Sequence, residues 1–260
     1  MSTNVNEFSM DFFSLKGKVA IVTGGNTGLG QGFAVALAKA GADVFIPTHG
    51  TNWEETRTLV EAEGRKVAFF QADLSKKEEI TATVEACIKE FGTVDILVNN
   101  AGTIKRAPLL DTKDEDWKTV IDLNLNAVYY LSQNVAKIMV KKGSGKIINI
   151  ASMLSFQGGK FVPAYTTSKH GIVGITKAFA SELGEKNIQI NAIAPGYIAT
   201  NNTAQIRADE ERSAGILARI PVGRWGYPFD VMGTVIFLAS RASDYVNGHV
   251  LAVDGGWLVR

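Results

Sequence analysis

Seven short apolar runs, each separated from the next by a longer stretch of helical periodicity, restrict this chain more than any other feature. The runs are VAIVT at 19–23, DVFIPT at 43–48, KVAFFQAD at 66–73, DILVNN at 95–100, KIINIAS at 146–152, IQINAIAP at 188–195 and HVLAVDGG at 249–256. They are continuous rather than alternating, as strands buried on both faces are. Between them lie helical stretches: Gln31 to Ala40 closed by Gly41, 76–90, Asp114 to Lys142 closed by Gly143, and 163–184. Glycine just past the last turn is a common way for a helix to end. Alternating strands and helices build a parallel sheet covered on both sides. No linker, repeat or low-complexity tract breaks the pattern. The expectation is one α/β domain over 15–260, a Rossmann-like doubly wound seven-stranded parallel sheet. Residues 1–14 read as a loose N-terminal arm, lacking the basic start and apolar core of a secretion signal.

In such a sheet, ligands bind beyond the carboxyl ends of the strands. The first strand runs there into Thr23, Gly24, Gly25, Asn26, Thr27, Gly28, Leu29 and Gly30, and then into a helix. Glycines let the backbone turn sharply and approach a pyrophosphate, whose charge meets the helix N-terminus. The spacing departs from the common G-x-G-x-x-G fingerprint, and a tight strand-to-helix turn is the plain alternative. After the second strand come Thr48, His49, Gly50, Thr51 and Asn52. This loop holds neither a carboxylate for a ribose 2'-hydroxyl nor an arginine for a 2'-phosphate. The lack of Arg and Lys here and in the glycine turn favours NAD over NADP.

Ser152 ends the fifth run, and Tyr165 stands four residues before Lys169 on a predicted helix. That spacing puts phenol and ammonium on one helix face. A free tyrosine titrates near ~10, and a neighbouring cation favours the phenolate, so Lys169 in a water-poor cleft, helped by a positively charged cofactor ring, is expected to draw Tyr165 toward the working pH of an acid/base group. Ser152 would hydrogen-bond the substrate oxygen. The segment 196–230, with Pro221 and Pro228, reads as two short helices and loops crossing the site as a lid.

Thr23 to Gly30, Asn99-Asn100-Ala101-Gly102, Asn124, Ser152, Tyr165, Lys169 and Pro195-Gly196 together resemble the short-chain dehydrogenase/reductase family over nearly the whole chain. The resemblance implies that Asp73 and Leu74 lie by the adenine and that Asn100, Ala101 and Gly102 flank the cofactor. Ile198 and Thr200, after Pro195-Gly196, would meet the nicotinamide carboxamide, and Lys169 the ribose hydroxyls. Asn124 would hold a water in a proton relay; its plain alternative is a helix-interior asparagine. It also implies a homotetramer. A narrower similarity lies in IINIASMLSFQGG (147–159), APGYIATNNT (194–203), RIPVGRWG (219–226) and DYVNGHVLAVDGGWL (244–258). These resemble the family's sugar-acid branch, which interconverts 2-keto-3-deoxy-D-gluconate and its 2,5-diketo form. Gluconate 5-oxidising members share similar segments, so that alternative stays open, as does a dinucleotide sensor without turnover.

A sugar acid requires a local cation, because 27 basic against 26 acidic residues give the chain no broad field. Arg106 is the first candidate, followed by Lys105, Lys160 and Arg207; Met153, Gln157 and Tyr197 are expected to line the pocket beside Ser152. The charge balance gives no footprint for nucleic acid or anionic membrane. No run reaches the roughly 18 apolar residues of a membrane helix. Cys87 is the single cysteine and reads as a buried small side chain in a reducing, cytoplasmic protein. His49, His170 and His249 are dispersed, which argues against a metal cluster, and no metal is expected.

Overall fold

β1 (Val19–Val22), β2 (Asp43–Thr48), β3 (Val67–Gln71), β4 (Ile96–Asn99), β5 (Gly145–Ile150), β6 (Ile188–Pro195) and β7 (Val250–Val253) form on the seven apolar runs. The computed structural model describes residues 5–260. The strands pair in parallel as one sheet of order β3-β2-β1-β4-β5-β6-β7. The helices are α1 (Gly28–Lys39), α2 (Glu54–Glu61), α3 (Lys77–Phe91), α4 (Asp114–Ile121), α5 (Ala127–Lys142), α6 (Pro163–Leu183), α7 (Ala204–Ala208), α8 (Glu210–Arg219) and α9 (Pro228–Ala239).

β1 shows why the runs are unbroken. Ala20 and Val22 join the layer formed with Phe33 and Leu37 of α1 and Val235 of α9. Val19 and Ile21 join the opposite layer, with Ile80 and Cys87 of α3 and Leu131 and Val135 of α5. A strand's period of two thus feeds two apolar layers, and each fully buried Ile or Leu contributes about 1.5–3 kcal/mol. Cys87 is fully buried, and burial pushes its thiol up to about 12, so it packs rather than reacts.

The chain builds outward from β1 to β3 and then returns to set β4 on the other side of β1. Such a reversal opens a crevice at the carboxyl ends of the two diverging strands. A buried polar network fixes the neighbouring strand ends: Asn99 donates to Ser132 Oγ (2.9 Å) and Asn149 Oδ1 (2.8 Å), and Asn149 donates to Thr176 Oγ1 (2.9 Å). Orphaning one of these groups costs about 1–3 kcal/mol, so the network holds β4, β5, α5 and α6 in register.

Two expectations need correction. The stretch 114–142 is not one regular α-helix, because a π turn, Asp122–Asn126, separates α4 from α5. The wider turn shifts the helical phase by one residue and brings Asn124 inside, 1% exposed. The loose arm is partly docked: Met10–Phe13 forms a 3-10 turn, and the Arg241 guanidinium lies 4.4 Å from the centre of the Phe12 ring. Residues 1–4 of that arm lie outside the described residues. The expected lid holds α7 and α8 and is tied at its end by Arg224, which grips Asp230 through both carboxylate oxygens at 2.7 and 2.8 Å.

Candidate active site

β1 delivers Thr23 to the crevice, where its Oγ1 accepts from the backbone N–H groups of Asn100 (2.9 Å) and Ala101 (2.8 Å). Asn100 returns a bond through Nδ2 to the Thr23 carbonyl at 2.9 Å. The glycine turn and the Asn-Asn-Ala-Gly turn are therefore one rigid unit. Gly24 and Gly28 have φ of +63° and +57°, conformations that favour glycine. A Cβ at Gly30 would stand 2.2 Å from the Gly24 carbonyl, whereas one at Gly28 would meet nothing within 4 Å. The turn is thus packed tightly behind and open in front, at the N-terminus of α1, which fits a pyrophosphate approaching the backbone. A cavity of about 310 Å³ adjoins it, lined by Gly28, Gln31, Thr200, Asn201, Pro228 and Met232 among others.

Asn26 turns the other way. Its amide accepts from Thr48 Oγ1 (2.8 Å) and donates to Asn52 (2.9 Å), joining the glycine turn to the loop after β2. Thr27 precedes α1 without a side-chain cap, and Leu29 packs against the α1 layer. Asp73 is spent on the start of α3, accepting from the Ser75 backbone (3.0 Å) and hydroxyl (2.6 Å), and the Ser75 hydroxyl holds its carboxyl below the usual range. Leu74 is core. Pro195 ends β6; Gly196 follows, where a Cβ would stand 2.6 Å from Asp254 Cα. Ile198 is buried, and Thr200 caps the Asn201–Thr203 turn.

Asn124 uses its side chain as a brace. It accepts from Thr103 N (2.8 Å) and donates to Thr103 O (2.9 Å) and Ser168 Oγ (3.3 Å). It thereby locks the segment that follows Gly102 against α6.

Ser152, Tyr165 and Lys169 come together at the carboxyl end of β5. Ser152 caps a 3-10 turn, accepting from Leu154 N at 3.2 Å, and Ser155 of the same turn donates to the Lys169 carbonyl at 2.8 Å. Pro163 at the first turn of α6 suits its fixed φ, and the helix sets Tyr165 and Lys169 on one face. The ammonium lies 5.5 Å from the phenol ring centre, but it donates to the Ile150 carbonyl at 2.6 Å. Burial pushes the Tyr165 phenol above its ordinary range, opposed by hydrogen bonding with Ser152 and by the charge of Arg106. Burial also draws the Lys169 ammonium down to about 8. One turn of helix brings the groups close, yet a flexible lysine in a dry site goes to the nearest carbonyl.

Arg106 is the cation whose charge reaches the Tyr165 phenol. Replacing Arg106 with Met removes a cation near the phenol and raises its pKa. Alcohol oxidation needs the phenolate, so the acid limb of kcat/KM in that direction should move to higher pH. An unshifted limb in the pH profile would show that the arginine does not act on Tyr165.

The other cations nominated for a carboxylate are differently engaged. Lys105 pairs with Asp116 at 3.6 Å, and Arg207 donates to the Thr200 carbonyl at 3.2 Å. Lys160 is exposed on the loop after Ser152. Met153 is buried, in a cluster with Ile216, Ile220 and Trp257. Tyr197 packs on Trp257 (4.7 Å between ring centres) and edge-on to Trp225 (5.6 Å). Gln157 accepts from Arg219 at 3.0 Å. Arg219, Trp225 and Trp257, carried by RIPVGRWG and GGWL, pack around Tyr197 and Gln157 without having been singled out in the sequence. Among the described residues no cluster of three metal-ligating side chains occurs.

A glycine turn at the switch point of a parallel sheet, with Ser152, Tyr165 and Lys169 at the adjoining strand end, defines an oxidoreductase acting on CH–OH groups. The chain belongs to the short-chain dehydrogenase/reductase family; the family profile described as enoyl-(acyl carrier protein) reductase matches residues 24–258. It is 57% identical over 250 residues, 96% of this chain and 98% of the relative, to the 2-dehydro-3-deoxy-D-gluconate 5-dehydrogenase of Bacillus subtilis (strain 168). The gluconate 5-dehydrogenase of Gluconobacter oxydans (strain 621H) is 41% identical, over 95% of this chain and 96% of its own. A solved Agrobacterium tumefaciens structure with bound NADP superimposes with a TM-score of 0.89 at 47% identity, covering 95% of this chain and 99% of that one.

Proposed function

We propose that this enzyme interconverts 2-keto-3-deoxy-D-gluconate and 3-deoxy-D-glycero-2,5-hexodiulosonate, with NAD(H), in uronate breakdown downstream of the isomerisation of unsaturated uronates. The convergence of Ser152, Tyr165 and Lys169 beside the glycine turn carries the chemistry, and the 57% identity over nearly the full chain supports the substrate. A bound nicotinamide supplies or accepts the hydride. In the reductive direction Tyr165 donates its proton to the C5 oxygen, and Ser152 stabilises that oxygen as negative charge develops. Because burial keeps the phenol protonated, the resting site is set for donation. Lys169 binds the ribose hydroxyls, and Asn124 keeps the Thr103 segment and α6 at a fixed spacing. Asn100 to Gly102, Ile198 and Thr200 flank the dinucleotide.

The loop joined by Asn26, Thr48 and Asn52 supports NAD(H), since it offers no cation to a 2'-phosphate. Arg57, in the following helix, stacks on Phe69 and pairs with Glu54 and Glu61. A steady-state assay should therefore give kcat/KM for NADH at least about tenfold above that for NADPH, a difference of about 1.4 kcal/mol. Equal or reversed values would discard the NAD reading. NADH oxidation with the diketo acid and with 5-keto-D-gluconate tests the substrate, the former being preferred. Dinucleotide binding without turnover of either would favour a sensor. Partly exposed Tyr129 and Val140 on α5, with Phe179 of α6 against Tyr129, support a homotetramer, whose mass in light scattering should be four times 28.0 kDa.

A further inference from the structure

Arg219, at the end of α8, differs from the other lid arginines in its setting, stacked on one aromatic ring and held by one amide although its residue is largely exposed. Arg224 is neutralised by Asp230, whereas Arg219 has no carboxylate within ion-pair distance among the described residues. Its guanidinium carbon lies 4.0 Å from the centre of the Trp257 ring, and Nη2 donates to Gln157 Oε1 at 3.0 Å. Stacking on an indole fixes the plane of the guanidinium and leaves its edge N–H groups directed outward in that plane. The Gln157 carbonyl orients the group without cancelling its charge. The same indole carries a second donor with no acceptor: Trp257 is 6% exposed, and its Nε1 is buried without a hydrogen-bond partner. An unmet buried donor is costly, so its retention beside an unneutralised arginine calls for an acceptor.

Three segments that surround the reacting centre meet at this point. Gln157 comes from the turn that begins with Ser152, Tyr197 from the Pro195-Gly196 turn, and Arg219 from the lid. The charges of Arg212 and Arg219 reach the Tyr197 phenol and oppose the upward push of its burial. The cation acting on the Tyr165 phenol is instead Arg106. Positive charge thus reaches Tyr165 from Arg106 and Tyr197 from Arg212 and Arg219, and of these Arg219 is the one held by Gln157 and Trp257. A six-carbon keto acid that reacts at C5 holds its carboxylate four carbon–carbon bonds away, and needs a cation away from the phenol.

We infer that Arg219, oriented by Gln157 and Trp257, and the indole N–H of Trp257 form the subsite that receives the substrate carboxylate. The inference rests on the sugar-acid reading above. It makes the end of the lid a specificity device: α8 carries the arginine, the C-terminal segment carries the indole, and a neutral ketone leaves both donors unmet. A site built to hydrogen-bond a charged group rejects analogues that lack it.

The test compares the 2,5-diketo acid with its methyl ester in the wild type, Arg219→Met and Trp257→Phe, with NADH affinity and thermal midpoint measured alongside. Arg219→Met should raise KM for the acid on the order of 30-fold while kcat and KM for the ester stay within about twofold. Trp257→Phe keeps the ring for stacking and removes the N–H; it should raise KM for the acid by about tenfold. Arg219→Lys should recover part of the loss through charge alone. An unchanged KM for the acid in Arg219→Met and Trp257→Phe, with the wild type active on it, overturns the subsite alone. So does an equal loss on acid and ester, which marks a structural role. A wild type inactive on the acid removes the sugar-acid reading and the subsite with it.

Discussion

Tyr165→Phe should lower kcat by roughly 10²–10⁴-fold, about 3–5 kcal/mol of transition-state stabilisation, while NADH binds almost as before. The substitution removes one oxygen from a ring held by α6 and leaves the aromatic body in place. Lys169 keeps its bond to the Ile150 carbonyl, and Ser152 keeps its place at the head of the 3-10 turn. The lost step is the proton transfer to the C5 oxygen, for which no other hydroxyl at the site has both position and acidity. Fluorescence titration with NADH and steady-state turnover of the diketo acid, run on the same preparation, separate the two effects. Substantial turnover in the phenylalanine variant would move the proton donor elsewhere.

Gly30→Ala should strike cofactor binding and stability together. The added Cβ would stand 2.2 Å from the Gly24 carbonyl oxygen and 2.5 Å from Asn100 Nδ2, so the glycine turn or the Asn-Asn-Ala-Gly turn must give way. The Gly24 carbonyl is backbone, and the Asn100 amide, though a side-chain end, is held by its bond to the Thr23 carbonyl. Overpacking of this kind costs about 1–3 kcal/mol, or roughly 2–12 °C in thermal midpoint for a domain of this size. The displaced turn should also weaken NADH on the order of 100-fold, since the backbone must approach the pyrophosphate closely. Gly215→Ala in α8 provides the contrast: its Cβ meets nothing within 4 Å, and a helix interior gains about 0.5–1 kcal/mol from the exchange. A Gly30→Ala protein with the wild-type midpoint and NADH affinity would contradict the packing described for the turn.

The sheet was legible because its strands are buried on both faces, which leaves unbroken apolar runs such as IQINAIAP, all eight residues of which are buried in β6. The cofactor turn was legible because glycine is needed where the backbone closes on itself. Other features escaped for specific reasons. The π turn at Asn124 inserts one residue into a helical pattern, and periodicity over 114–142 averages that step away. The seat of the Lys169 ammonium on the Ile150 carbonyl escaped because helical spacing fixes where a lysine starts, not where its flexible end goes. The depth of burial that raises the phenol depends on packing from several segments. Arg219 and Trp257 escaped because they are distant in sequence from Gln157 and meet it only when the lid and the C-terminal segment close over β6.

Hydride transfer between NADH and C5 of a keto sugar acid at the Tyr165 centre is tested by reducing 3-deoxy-D-glycero-2,5-hexodiulosonate with NADH deuterated at C4 of the nicotinamide, followed by NMR of the product. The expected product is 2-keto-3-deoxy-D-gluconate carrying deuterium at C5 when the transferred C4 position is labelled, with no product from Tyr165→Phe on the same time scale. Deuterium at another carbon, or NADH bound and never oxidised, would contradict it.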